Sequence, residues 1–297
     1  MKDLADKIEE RNELFAKRLA EIVVPHLPAI NAVAQQFGKW LAQVETNLAP
    51  YVERLANIDW QSEIERLESL PARSQEAMIR ASDRGWFFNW QNSLEDTIGL
   101  IDKLGEAGPE EVDAILIKHF TADFDWYTKL ITDMYPVRKS VIEAAANSHK
   151  RGETEGYLLS IPVFLAQADG IFSQITGLTQ PMSSNGKKTK GSVYISGEIG
   201  DDQDSKDLLY QALNLSNMSL LKSSSQRNKE SISSNTTFNA LNRHQVIHGE
   251  VSDYGTELNS LKAFSFLIYI AAHVPEILES ARSKKSIEPL TCSDESR

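Results

Sequence analysis

Apolar positions recur at helical spacing along most of the chain. Leu4, Ile8, Phe15, Leu19 and Ile22 form one stripe, with Glu13 four residues ahead of Lys17 on the polar side, and Pro25 and Pro28 end the segment. Pro50, Pro71, Gly85, the AGPEE turn at 107–111 and Pro136 then divide the sequence into lengths suited to short helices. No alternating strand pattern interrupts them, so residues 1–135 read as an all-α unit. The aromatic run RGWFFNW at 84–90 reads as core or interface.

Residues 137–178 continue in helical period. The stretch YLLSIPVFLAQADGIFSQITG, 157–177, is apolar almost all round and must be buried on several sides. Gln167 and Asp169 stand out in it, because a buried carboxylate is costly without a partner. Either they face a polar pocket, or the helix breaks near Pro162 and Asp169 is exposed. From Gln180 the character changes. A polar linker leads to VYIS, 193–196, which predicts a short strand, and then to an acid-led helix. Residues 223–234 hold one apolar residue, Ile232, which marks a mobile insertion between about 179 and 235. Thr256 is a good N-cap for a last helix that buries Leu258, Leu261, Ile268 and Ala271. The expected plan is all-α: an acidic helical domain over 1–135, a helical bundle over 136–285 carrying the insertion, and a disordered tail over 286–297.

Charge and cysteine content narrow the function. Residues 1–135 carry 14 Lys and Arg against 24 Asp and Glu, a balance of −10 out of a total of −11, so the acidity lies in the first half. All five Trp lie there too: Trp40, Trp60, Trp86, Trp90 and Trp126. Such a surface repels phosphates and disfavours broad, non-specific nucleic-acid binding. The single cysteine, Cys292, excludes a disulfide framework or a cysteine zinc site within the chain and fits a reducing cytoplasm. The N-terminus lacks the apolar core of a signal peptide, and the longest apolar-rich stretch, 261–274, is too short to span a bilayer, so no membrane is expected.

Chemistry concentrates at His244 and His248, in the run LNRHQVIHGEVSDYGTELNSLKA. Three readings of it stay open. Spacing i, i+4 puts both imidazoles on one helix face, as in half of a zinc site, but Gln245 stands where a metalloprotease has Glu and no third ligand is evident. No metal or other cofactor is therefore expected. Alternatively Arg243 and His248 act on a phosphodiester, or Arg243 merely pairs with Asp169 or Asp253 while His248 closes a helix. For the phosphodiester, a guanidinium grips two phosphate oxygens and an imidazole moves protons. Gly249 marks His248 as a helix end, where the partial negative charge favours a protonated ring. Residues five apart lie about 140° apart around a regular helix, so Arg243 and His248 converge only if the helix frays or two protomers share a cleft.

Arg243, a polar neighbour and a His five residues beyond the Arg together resemble the HEPN superfamily of helical-bundle proteins. The extended form, Asn242-Arg243-His244, then His248-Gly249, then DYGT opening a helix, looks like bacterial members linked to abortive infection and phage defence. QADGIF, 167–172, resembles that bundle's first long helix, and the resemblance covers roughly 137–285. One departure is His244, where nuclease members commonly carry Asn. The resemblance implies a metal-independent endoribonuclease that leaves 2′,3′-cyclic phosphates, catalysed by Arg243 and His248. Asn242, His244, Asp169, Gln167, Tyr254 and Asn259 are the expected supporting or substrate-binding residues. RNA, a second copy of the chain in a homodimer, and a regulatory protein or antitoxin are the expected partners. A non-catalytic dimerisation or interaction module is the alternative.

Overall fold

The computed structural model describes residues 69–287, and these are all-α apart from a two-stranded hairpin. The stripe over Leu4–Ile22, Trp40, Trp60, Cys292 and most of the expected tail lie outside the described residues. Helices α1 (Leu70–Asp83), α2 (Leu94–Glu106), α3 (Val112–Ala122) and α4 (Phe124–Met134) come first. Ser93 accepts from the amide of Asp96 to start α2, which then buries Thr97, Leu100, Ile101 and Leu104 at helical spacing. Helices α5 (Lys139–His149) and α6 (Thr154–Thr176) follow, and Gly177, at φ +70°, ends α6 in the left-handed conformation.

Next come the hairpin strands β1 (Ser184–Asn185) and β2 (Lys188–Thr189), then α7 (Lys190–Ile199), α8 (Gln203–Leu208), α9 (Tyr210–Leu213) and α10 (Ser224–Ser234). After α11 (Arg243–Ile247), helix α12 (Glu257–Ile268) passes through a π-helical turn, Tyr269–His273, into α13 (Val274–Ile287).

Two expectations for 179–235 change. VYIS is helical, because Thr189 caps α7 by accepting from Ser192, and glycine at 191 lets α7 lie against the Phe172 ring. The Ser-rich stretch forms α10, started by a capping box between Ser223 and Gln226. The apolar residues of this region, among them Ile195, Leu208, Leu209, Leu215 and Leu220, are buried in the main core.

Helices on both sides of residue 135 contribute to one apolar core. The 84–93 segment is irregular, yet Trp86, Phe87 and Phe88 are fully buried. Its backbone finds partners outside itself. The Phe87 amide donates to Ser265 Oγ, and the Phe88 amide to Gln211 Oε1, while Gln211 Nε2 returns a bond to the Trp86 carbonyl. Trp86 stacks on Phe120, and its indole N–H donates to Asp113, which also pairs with Lys262 of α12.

Both long helices contain a proline, and each is repaired in the same way. Pro162 has no N–H for the Leu158 carbonyl, and the Tyr254 hydroxyl donates to that oxygen instead, at 3.4 Å. Pro275 leaves the Ala271 carbonyl similarly open, and the Tyr135 hydroxyl donates to it at 2.9 Å. Helix α6 therefore runs unbroken through Pro162. By length and composition Thr154–Thr176 and Glu257–Lys285 could each cross a membrane, which the 14-residue stretch alone does not suggest. Of their most apolar windows, 83% of the later one is buried inside the protein, against 39% for α6. Leu159 and Ala166 are exposed on the outward face of α6, with Pro162 half-buried between them.

Candidate functional site

Helix α11 is only five residues long and is held from both ends. At its start, Asn242 Oδ1 caps the Gln245 amide, while Nδ2 donates to the carbonyls of Ser219 and Lys222. Asn242 is buried, and these bonds occupy its amide within the protein. At the other end His248 is the C-cap and Gly249 takes φ +68°, as the sequence implies.

Arg243 reaches from the first turn of α11 to α6. Its Nη2 donates to Asp169 Oδ2 at 2.5 Å, and both side chains are about three-quarters buried. The contact is single: Arg243 Nε and Asp169 Oδ1 are buried with no hydrogen-bond partner. A two-pronged carboxylate–guanidinium pair would satisfy both. Two residues earlier on α6, Gln167 accepts from Arg138 Nη1 at 2.9 Å, and glycine at 170 leaves room for that guanidinium. Gln167 and Asp169 thus hold one arginine each.

His244 and His248 lie on the same side of α11, ring centroids 4.3 Å apart and tilted by 57°. Both are exposed. Among the described residues no hydrogen bond or ion pair joins Arg243 to His248; the histidine contact is to His244 and the arginine contact is to Asp169. Asp253, weighed as the other partner for Arg243, does not take it. No three His, Cys, Asp or Glu side chains converge among the described residues to hold a metal ion.

Compared with models of protein families, with curated proteins and with solved structures, the chain matches none.

Tyr254 and Asn259 have defined local tasks. Tyr254 serves the open Leu158 carbonyl, Thr256 caps α12 by accepting from the Asn259 amide, and Asn259 Nδ2 donates to the Tyr254 carbonyl. Gly255 permits the close approach, since a Cβ there would stand 2.6 Å from Leu158 Cγ. This loop docks the chain after α11 onto α6.

Two residues of the site escape sequence reasoning. Arg227 of α10 is 6% exposed and donates to Asn242 Oδ1, to the Lys222 carbonyl and to Glu250 Oε2. Glu250 Oε1 then stands 3.3 Å from His244 Nε2. The Ser223–Gln226 spacing was the available signal that 224–234 is a helix able to place Arg227. Beside this network lies a cleft of about 330 Å³, lined in part by Tyr210, Asn217, Met218, Lys222 and Glu230, with none of the sequence-predicted residues in its walls.

Proposed function

We propose that the chain is a metal-independent endoribonuclease of HEPN type that acts in bacterial defence against phage. The observation that carries the reading is the exposed His244–His248 pair, 4.3 Å between rings, on a short helix that begins with a guanidinium. Arg243 grips the scissile phosphate and neutralises the phosphorane, and His248 protonates the leaving oxygen. Asp169 steers Arg243, and Gln167 holds Arg138 alongside. The outward face of α6, with Leu159 56% exposed, supplies an apolar surface for a second protomer, which brings two Arg/His sets to one cleft. The net charge of −11 keeps RNA affinity weak and salt-sensitive, confined to that cleft. The protein works in the cytoplasm, restrained by a regulatory partner or antitoxin.

Purified wild type, Arg243→Ala and His248→Ala are incubated with total RNA in excess EDTA, and the new ends are mapped. Wild type yields 2′,3′-cyclic phosphates, and each variant loses at least about 100-fold in rate, His248→Ala while keeping its melting temperature. Cleavage abolished by EDTA, or equal in all three proteins, refutes the reading.

The Arg243–Asp169 ion pair favours a second reading, a non-catalytic module that dimerises or binds a protein partner. There the pair only clamps α11 to α6. A marked fall in melting temperature for Arg243→Ala, with no RNA cleavage by the wild type, supports that reading.

A further inference from the structure

Glu250 links the exposed histidines to a buried cation. Its Oε2 accepts from Arg227 Nη2 at 2.7 Å, and its Oε1 stands 3.3 Å from His244 Nε2. Arg227 is nearly inaccessible, and Nη1 also donates to Asn242 Oδ1 at 3.0 Å and to the Lys222 carbonyl at 3.1 Å. A guanidinium held on three acceptors fixes the carboxylate that it binds. The same guanidinium shares Asn242 with the first turn of α11, so the helix cap and the carboxylate are set by one group.

The other charges nearby are already engaged. Lys222 pairs with Glu230 from α10, and Arg243 pairs with Asp169 from α6. Glu250 is therefore the carboxylate that His244 meets, and His248 is the ring beside it. A neutral imidazole offers one donor and one acceptor, and the partner of one nitrogen decides what the other can do.

We propose that Glu250, held by Arg227, is a positioning residue that takes the Nε2–H of His244 and so leaves His244 Nδ1 as a proton acceptor beside His248. The proposal rests on the ribonuclease reading and names the base that reading lacks. Nδ1 of His244 removes the ribose 2′-hydroxyl proton, and the 2′-oxygen bonds to phosphorus as the bond from phosphorus to the 5′-oxygen breaks. His248 gives its proton to that leaving oxygen. The products are a 2′,3′-cyclic phosphate and a 5′-hydroxyl, and proton exchange with water restores both rings.

The test uses the full chain with ¹⁵N-labelled histidine, as wild type, Glu250→Ala, Glu250→Asp and His244→Ala. In the wild type, long-range ¹H–¹⁵N correlation spectra of the neutral ring show His244 protonated at Nε2 and bare at Nδ1. That single tautomer gives way to a mixture in Glu250→Ala and returns in Glu250→Asp, while the His149 and His273 ring signals stay in place and report an intact fold. With RNA, Glu250→Ala lowers kcat by about 10- to 100-fold at unchanged KM, within the range that general acid–base catalysis supplies, and Glu250→Asp recovers part of it. The proposal is overturned if the wild-type ring is protonated at Nδ1 or mixes tautomers, a result that needs no variant to fold. Persistence of the single tautomer in Glu250→Ala, or a His244→Ala defect that Glu250→Ala does not share, overturns it as well. A wild type that cuts no RNA defeats the ribonuclease reading, and with it the base assignment, while the tautomer still decides whether Glu250 holds His244.

Discussion

Lowering the pH from 7 to 5 protonates two imidazoles in the unfolded chain that the folded chain keeps neutral. Burial pushes His149, packed on Phe124 and bonded to Ser260, down to about 4, and it pushes His273, which is wholly inaccessible, down to about 4 as well. An unfolded imidazole titrates near 6.5. Between those values the unfolded state binds more protons, so each contribution is essentially complete at neutral pH and is lost as the pH falls from about 6.5 toward 4. At about 1.36 kcal/mol per pKa unit, the step from pH 7 to 5 costs about 2 kcal/mol per ring. Two rings make about 4 kcal/mol, a large share of the 5–15 kcal/mol that typically separates folded from unfolded protein. Burial lowers His119 too and adds in the same direction, whereas it raises Glu276, whose protonation in the fold works against the trend. Urea denaturation at pH 5, 6, 7 and 8 measures the loss. Glutamine at 273 can still donate to the Leu208 carbonyl, which His273 Nε2 now contacts at 2.9 Å. His273→Gln is thus expected to be weaker than wild type at pH 7 but to lose about 2 kcal/mol less on acidification. A variant curve that runs parallel to the wild type, within about 0.5 kcal/mol, would refute the reasoning.

Tyr254→Phe should cost about 0.5 kcal/mol, the low end for a hydrogen bond, since the 3.4 Å contact with the Leu158 carbonyl is long. That loss should shrink in a Pro162→Ala background, where an alanine N–H can fill the position; an additive double-mutant cycle would rule the repair out. Removing Arg227 as Arg227→Met should destabilise by about 1–3 kcal/mol, because Asn242 Oδ1 and the Lys222 carbonyl lose a buried donor while Glu250 stays in water, and thermal unfolding checks it. Leu159→Asp on the outward face of α6 should shift light-scattering mass from dimer to monomer at micromolar concentration without lowering the melting temperature. A dimer that survives this substitution moves the protomer contact elsewhere.

The all-α class was legible because helical periodicity repeats along the chain, and the aromatic run at 84–90 was legible because Trp86, Phe87 and Phe88 are too large and apolar to leave in water. Gly249 announced the end of α11 correctly. Asp169 was one of the two acids weighed for Arg243, while its own setting stayed open between a polar pocket and an exposed position. What escaped was tertiary. Residues 224–234 hold a single apolar side chain, so their helix rests on a capping box and on Arg227, whose long side chain buries its charge among acceptors that are distant in sequence. Glu250 carries no pattern until Arg227 is placed beside it. A break at Pro162 stayed open as an alternative because the donor that replaces its N–H comes from Tyr254, beyond any local window.

The two tyrosine-repaired prolines have a consequence for how the chain folds. The donors come from residues 96 and 136 positions away from the carbonyls they serve, so neither long helix can complete its backbone bonding from its own sequence. Until the loop with Tyr254 settles on α6, and Tyr135 reaches the turn before α13, each helix carries an unmet carbonyl at its middle. States that bury these carbonyls before the tyrosines arrive are therefore penalised, once in each long helix. The ladder of hydrogen bonds closes together with the core, which makes the proline positions a source of cooperativity in the fold.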